Sequence, residues 1–269
     1  MFGSFAPARR RLVLGLIVAG LVALLALAIV AIGVFAALGN RDLPAAQDKP
    51  GPVLLVPGYG GSTDSLQALA EKLRAAGKDA EVVPMPGNGE GDLRDQAKAL
   101  SAAAKAAVER TGARSVDVVG YSAGGVVARL WVRDYGGAVQ ARRIVTLGSP
   151  QHGTLLAQLG ALLAGACPVA CVQLGPASDL LTAMNAAPET PKGPAFVSIW
   201  TSHDQVVLPP ESAELKGALN MSVQSVCPQS VVRHDGLPTD PLVEAMVVAE
   251  LTASPVRSLT AADCAQLSS

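Results

Sequence analysis

The residues best suited to chemistry lie in one short stretch, Val116 to Gly125, which reads VDVVGYSAGG. Ser122 has a glycine two positions before it and another two positions after it, Gly120 and Gly124. β-Branched residues before the serine favour a strand, and glycine removes the Cβ atoms that would collide on a sharp turn. A helix is expected to follow, and its N-terminus favours developing negative charge. The pattern therefore predicts a nucleophilic serine raised on a strand-turn-helix elbow.

A serine hydroxyl is a weak nucleophile until a nearby base accepts its proton and an acid orients that base. In this architecture the acid and then the histidine follow the serine in the chain. Asp204 lies a few residues past an apolar, strand-like run, and His234 is the only histidine after it. We therefore predict a catalytic triad of Ser122, Asp204 and His234. The alternatives are Asp179, Asp235 and Asp240 for the acid, and His152 and His203 for the base.

The tetrahedral intermediate of acyl transfer also needs two hydrogen-bond donors for its oxyanion. One should be the backbone N–H of Ala123, the residue after the nucleophile. The other should come from the glycine-rich loop Pro57 to Ser62, where Tyr59 is the expected donor. A glycine-rich turn without a catalytic role is the alternative interpretation of this loop.

Strand-like and helical segments alternate from Val53 onwards, which favours a parallel α/β sheet. Helices are predicted after Ser62 up to Gly77, over 92–110 and over 123–135. The segment 153–194 has no strand pattern, and its apolar part, Leu155 to Leu163, is expected either to line or cover the acyl site or to pack as an ordinary surface helix. Apolar runs predict strands at 53–56, 80–83, 116–119, 143–147, 195–200 and 230–232.

The N-terminal part of the chain has a different character. Arginines at positions 9 to 11 precede an uncharged apolar run over 12–38, which exceeds the roughly 20 residues that span a bilayer. The arginines predict an N-terminus inside and the remaining chain outside. We expect residues 1–39 to be a signal anchor or a long signal peptide, with a buried core helix as a further alternative. Residues 40–52 are then a linker and 53–269 the catalytic domain, which lies outside the cell membrane or is secreted if the N-terminal segment is cleaved.

Composition argues against several other classes of function. A net charge of −1 without a basic stripe argues against a nucleic-acid partner. Three histidines and four cysteines without paired spacing argue against a zinc site. Outside the cytoplasm the cysteines would form two disulfides. We favour Cys167–Cys171 and Cys227–Cys264 among the three possible pairings, with four free thiols as the alternative.

Four sequence blocks in this order resemble the α/β-hydrolase triacylglycerol lipases, most closely the small class 2 lipases of actinobacteria and bacilli. The resemblance covers about residues 52–251, although Pro57 and Tyr121 stand where many lipases have histidine. The blocks are VLLVPGYGG at 53–61, GYSAGGVVAR at 120–129, TLGSPQHGT at 146–154 and SHDQVV at 202–207.

The resemblance implies an α/β-hydrolase fold, with a mostly parallel sheet covered by helices on both faces, here preceded by an N-terminal transmembrane helix. It also implies a Ser-Asp-His lipase or esterase that needs no cofactor. No acidic cluster suggests the calcium site of some larger bacterial lipases, so we expect no metal. We expect a monomer that acts on a lipid or small ester and contacts the membrane through its N-terminal helix. An acyltransferase or thioesterase with the same triad is the alternative enzyme, and a non-catalytic protein of the cell envelope is the alternative outside enzymes.

Overall fold

The computed structural model describes residues 7–39, 45–162 and 167–268, in two compact units, Met1–Leu43 and Pro44–Ser269. The first unit contains the helix α1 (Pro7–Gly39). Among the described residues, the segment Leu14–Val34 of α1 is the one stretch long and apolar enough to cross a membrane. Its large apolar side chains are exposed, which suits a lipid environment better than water. Residues 40–44 of the predicted linker lie outside the described residues.

The second unit is built on a sheet of six strands. They are β1 (Val53–Val56), β2 (Ala80–Val82), β3 (Val116–Tyr121), β4 (Ala141–Leu147), β5 (Ala195–Trp200) and β6 (Leu219–Ser222). Their order in the sheet is β2-β1-β3-β4-β5-β6. All five pairings are parallel, so the carboxyl ends of the strands lie along one edge. The chain changes its direction of progress across the sheet between β1 and β3, and ligands bind at such switch points in open α/β sheets.

Helices cover both faces of this sheet. Leu54 and Val56 of β1 pack into one apolar core with the helices Leu93–Thr111 and Ala123–Asp134. Val53 and Leu55 pack into a second core with the helices Asp64–Ala75 and Pro241–Thr252. This confirms the predicted α/β fold class. The larger helices are α2 (Asp64–Ala75), α3 (Leu93–Thr111), α4 (Ala123–Asp134), α6 (Leu155–Leu162) and α10 (Pro241–Thr252). The shorter ones are α5 (Gly137–Gln140), α7 (Val169–Gln173), α8 (Asp179–Asn185), α9 (Val223–Val226) and α11 (Cys264–Leu267).

The first five strands lie where the sequence predicts them, with boundaries that differ by up to two residues. The predicted strand at 230–232 is wrong, because this segment is irregular and Val231 is 77% exposed. The sixth strand is instead Leu219–Ser222, which pairs with β5 at the edge of the sheet. Only Met221 is buried in that strand, and two of its four residues are polar. The segment therefore lacks the apolar run from which a strand is predicted.

Both disulfides form with the favoured pairing. Cys167–Cys171 closes a tight loop at the start of α7, between α6 and α8. Cys227–Cys264 joins the residue after α9 to the first residue of α11, so it ties the C-terminal tail to the body of the second unit.

Candidate active site

Ser122 occupies a strained turn between β3 and α4. Its backbone has φ 52° and ψ −124°, which is uncommon for any residue but glycine, and its N–H donates to the Leu147 carbonyl at 2.8 Å. A Cβ on Gly120 would approach backbone atoms of the next turn to 2.6 Å, and a Cβ on Gly124 would approach the Pro57 oxygen equally closely. The elbow therefore requires glycine on both sides of the serine, and its strain is of the kind found at functional sites.

The three residues predicted as a triad lie within hydrogen-bond distance of one another. His234 Nε2 lies 3.1 Å from Ser122 Oγ, and His234 Nδ1 lies 2.7 Å from Asp204 Oδ2. The second carboxylate oxygen, Asp204 Oδ1, accepts hydrogen bonds from the N–H groups of Val206 and Val207, both at 2.8 Å. The acid is thus fixed by its own loop, with one oxygen left to orient the imidazole.

The alternative acids and bases occupy other positions. Asp240 caps α10 by accepting from the Leu242 N–H at 3.0 Å, and Asp179 lies in the first turn of α8. His152 Nε2 lies 3.3 Å from the Glu189 carboxylate, on a half-exposed side chain. Within the described parts of the chain, no hydrogen bond joins Ser122 to Asp179, Asp235, Asp240, His152 or His203.

His234 begins a 3₁₀ turn, His234–Gly236, and does not lie at the end of a strand. The Tyr121 hydroxyl donates to the His234 carbonyl at 3.2 Å, and the two rings are tilted with centroids 5.3 Å apart. Burial, together with the negative charges of Asp235 and Asp204, raises the pKa of Tyr121 to about 12. The hydroxyl therefore stays protonated, and able to donate, at neutral and moderately alkaline pH.

Two polar side chains connect the loop that carries the histidine to the loop that carries the acid. Thr201 Oγ1 donates to the Val232 carbonyl at 2.7 Å. Gln224 Nε2 donates to Thr201 Oγ1 at 3.0 Å and to the Ser230 carbonyl at 3.2 Å, while Gln224 Oε1 accepts from the Ser202 N–H at 2.9 Å. Sequence reasoning did not single out these residues. The position of Thr201 directly after β5 was the available signal, whereas Gln224 has no motif around it.

The glycine-rich loop after β1 passes directly over the nucleophile, because a Cβ on Gly58 would lie 3.0 Å from the Ser122 Cβ. Tyr59 follows in this loop, and Ala123 is the first residue of α4, where an N–H group has no acceptor within the helix. Over the ranges 45–162 and 167–268, neither the Tyr59 nor the Ala123 N–H donates a hydrogen bond. Burial and the neighbouring Glu90 carboxylate raise the pKa of the Tyr59 hydroxyl.

A cavity of about 190 Å³ opens beside Ser122 and is lined mainly by apolar side chains. Leu156 and Ala157 of α6 form part of its wall, whereas Leu159 and Leu162 of the same helix face solvent. The segment 155–162 therefore lines the cavity with part of its surface and exposes other apolar side chains to solvent, while Leu163 lies outside the described residues. The remaining lining residues are Tyr59, Pro150, Thr154, Cys171, Leu174, Val206 and Val207.

Large apolar side chains of the second unit that face solvent are concentrated in the segments around this cavity. Contiguous apolar patches on protein surfaces are typical of interaction sites. The exposed apolar side chains in the loop after β1, α6, α7 and the acid loop are Tyr59, Leu155, Leu156, Leu159, Leu162, Val169, Val172 and Val206.

Three solved structures of lipases or related proteins share this fold at low sequence identity. Lipase B of Aspergillus fumigatus is 19% identical, with a TM-score of 0.67 over 78% of this chain and 54% of that protein. The mature lipase BlEst2 of Bacillus licheniformis is 21% identical, with a TM-score of 0.56 over 67% of this chain and 84% of that one. A lipase-esterase related protein of Clostridium acetobutylicum is 12% identical, with a TM-score of 0.53 over 77% of this chain and 96% of that one.

The chain spans about half the length of the Aspergillus lipase, and at these identities the likeness concerns the fold alone. No curated protein sequence matches the chain. The family model described as lipase (class 2) matches residues 103–244, a little more than half of the chain, from within α3 to the start of α10. The matched region contains the serine elbow and the acid and histidine loops. The chain therefore belongs to the class 2 lipase family.

Proposed function

We propose that this protein is a carboxylic ester hydrolase that cleaves lipid esters through an acyl-enzyme on Ser122. The observation that carries the proposal is the hydrogen-bonded series of Ser122, His234 and Asp204, with distances of 3.1 and 2.7 Å. Ser122 itself lies on a strained turn beside an apolar cavity. Membership of the class 2 lipase family supports the same reaction class.

In the first half of the reaction, Ser122 Oγ attacks the carbonyl carbon of the ester while its proton passes to His234 Nε2. Asp204 accepts the hydrogen bond of Nδ1–H, which selects the productive tautomer and stabilises the imidazolium. His234 then returns the proton to the leaving alcohol. In the second half, water attacks the acyl-enzyme with His234 again as the base, and the carboxylic acid leaves.

Negative charge develops on the carbonyl oxygen in both halves of this reaction. We assign the backbone N–H groups of Tyr59 and Ala123 as its donors, because both are unpaired and both lie next to the nucleophile. The N-terminus of α4 adds a favourable field at the same place. Loss of one such donor typically costs about 3 kcal/mol of transition-state stabilisation.

The acyl chain is assigned to the cavity beside Ser122, where Leu156, Ala157 and Leu174 offer an apolar wall. Each methylene group removed from water contributes about 0.8 kcal/mol, so this site favours acyl chains over small polar groups. The exposed apolar side chains around the cavity add to the preference for an ester presented by a lipid. These features support a lipid substrate.

The proposed location is the outer side of the cell membrane. Leu14–Val34 would hold the chain in the bilayer or direct its secretion, with 1–39 as the targeting segment, 40–52 as the linker and 53–269 as the catalytic domain. The two disulfides support this location, because such bonds persist in oxidising compartments outside the cytoplasm.

The test uses the full chain in mild detergent with p-nitrophenyl esters of increasing acyl length. We expect turnover that Ser122→Ala reduces by about 10⁵- to 10⁶-fold, together with loss of labelling by a fluorophosphonate. Ser258→Ala, at an exposed serine, is the matched control and should keep full activity. Absence of turnover with every ester would refute the proposed hydrolase, and surviving label on Ser122→Ala would place the nucleophile elsewhere.

Acyl transfer to an alcohol, or cleavage of a thioester, would use the same three side chains. These two reactions are separated from ester hydrolysis by offering glycerol as a competing acceptor and a thioester as a competing substrate. We expect the free acid from the oxygen ester to be the main product. A dominant acyl-glycerol product or a strong preference for the thioester would replace the proposal by the corresponding alternative.

A further inference from the structure

The base of the proposed triad lies on a part of the chain with little support from regular structure. Residues 228–233 are neither helix nor strand, and His234 lies at the start of a three-residue 3₁₀ turn. Backbone hydrogen bonds of a sheet therefore do not hold the imidazole at its 3.1 Å distance from Ser122 Oγ. Side chains from neighbouring elements have to do so.

Tyr121 connects this turn to the nucleophile directly. It is the last residue of β3, and the next residue along the chain is Ser122. Its hydroxyl donates to the His234 carbonyl at 3.2 Å, and its ring lies against the imidazole with centroids 5.3 Å apart. One side chain thus links the backbone of the base to the strand that carries the nucleophile.

We propose that Tyr121 is a positioning residue, whose hydroxyl holds the His234 turn so that the imidazole stays within reach of Ser122. This inference rests on the proposed function and adds a residue to it. The hydroxyl does not touch the reacting atoms, so it acts only through the position of His234. The variable residue of the G-x-S-x-G elbow thereby acquires a specific role in this protein.

The contribution of the Tyr121 hydroxyl can be measured separately from that of the ring, because phenylalanine keeps the ring packing and removes the hydrogen-bond donor. We expect Tyr121→Phe to lower kcat by about tenfold, the effect of one lost hydrogen bond, with KM changed less than twofold. Labelling by a fluorophosphonate should slow by the same factor. Replacing Tyr121 by p-aminophenylalanine returns a donor at the same position and should restore most of the activity. Tyr135→Phe, at a partly buried tyrosine packed against the other core, is the control.

A second measurement does not depend on turnover. The chain contains three histidines, so a histidine-selective ¹⁵N spectrum of the full chain in detergent has few signals. In Tyr121→Phe the ring signals of His234 should shift or broaden, while those of His152 and His203 stay in place. An unchanged His234 signal, or a kcat equal to that of the unmodified protein, would overturn the positioning role. A chain that hydrolyses no ester would refute the proposed function, while the spectrum would still decide the role of Tyr121.

Discussion

The serine elbow, Val116–Gly125, continues the central strand β3, whereas the histidine loop, Cys227–Asp240, pairs with no strand among the described residues. The elbow is held by backbone contacts, since the Ser122 N–H donates to the Leu147 carbonyl of β4 and no Cβ can be accommodated at Gly120 or Gly124. The histidine loop is held by side chains of other elements, which donate hydrogen bonds to its carbonyl groups, and by one disulfide.

This difference shows that two parts of one site can be held in position by different kinds of contact. The elbow depends on a local backbone geometry that admits no added Cβ, so changes there should be nearly all-or-none. The loop depends on several modest contacts, each worth about 1 kcal/mol for an ordinary hydrogen bond, so changes there should be graded.

Among changes outside the three triad residues, the largest effect on activity is expected from Gly124→Ala in the serine elbow. The new Cβ would lie 2.6 Å from the Pro57 carbonyl oxygen and closer still to that of Val56, so either the turn or β1 has to move. We expect kcat/KM to decrease by at least about 100-fold, as for a displacement of about 1 Å, with a loss of about 3 kcal/mol in the free energy of unfolding. Gly91→Ala, where a Cβ meets nothing within 4 Å, is the control for ester assays and urea unfolding. Equal activity of the two variants would contradict the account of the elbow.

The next effect concerns the disulfide at Cys227, the first residue of the histidine loop, and is a loss of stability. Cys227–Cys264 joins residues 37 apart, whereas Cys167–Cys171 joins residues 4 apart. A cross-link stabilises more when it closes a longer loop. Replacing Cys227 and Cys264 by serine should therefore lower the free energy of unfolding by about 4 kcal/mol, and replacing Cys167 and Cys171 by about 2 kcal/mol. Thermal unfolding of the two double variants would measure this difference. The reverse order would show that strain or residual structure outweighs loop entropy.

The pH dependence of stability should reveal the link between the elbow and the loop. The pKa of Tyr121 is about 12 in the folded protein, because of burial and then Asp235 and Asp204, against about 10 in the unfolded chain. Between these values the unfolded chain loses the proton that the folded protein keeps, so the free energy of unfolding decreases as the pH rises. The decrease should reach about 2–3 kcal/mol by pH 12. Urea unfolding at pH 9 and 11.5 should show a smaller decrease for Tyr121→Phe, and equal decreases would contradict the burial of this hydroxyl.

The smallest effect is expected from Gln224→Ala, which removes the amide that joins the two loops. Its three hydrogen bonds, to Thr201, Ser202 and Ser230, are partly replaced by water. We expect a loss of about 1–2 kcal/mol in the free energy of unfolding and a decrease of about threefold to tenfold in kcat. Gln67→Ala, on the exposed side of α2, should change neither quantity. A 100-fold loss of activity would show that the histidine loop is as intolerant as the elbow.

Sequence reasoning is effective for those parts of the molecule whose pattern is local. The buried strand β1 is a continuous apolar run, because both of its faces are covered by helices. The elbow is visible because glycines at fixed spacing around a serine have one main structural explanation. The disulfide pairing that the close spacing of Cys167 and Cys171 favours, among the three possible, is the one that forms.

The sixth strand shows where such reasoning fails. Val231 and Val232 have the composition of a strand, but the carbonyl groups of this segment are taken up by Thr201 and Gln224. Leu219–Ser222 forms the edge strand although half of its residues are polar. Strand formation at a sheet edge depends on which segment finds a partner, and that is a property of the assembled sheet.

The sequence by itself determined that a serine stands on a glycine-flanked turn, and it predicted an acid and a single later histidine as its partners. Only the tertiary structure decided that the histidine reaches the serine from an unpaired loop, held by Tyr121, Thr201 and Gln224. The physical reason is the range of the interactions. Steric exclusion at Gly120 acts between near neighbours in the chain, since an added Cβ would meet Gly124 and Gly125, whereas the bond from Tyr121 to His234 joins residues 113 positions apart.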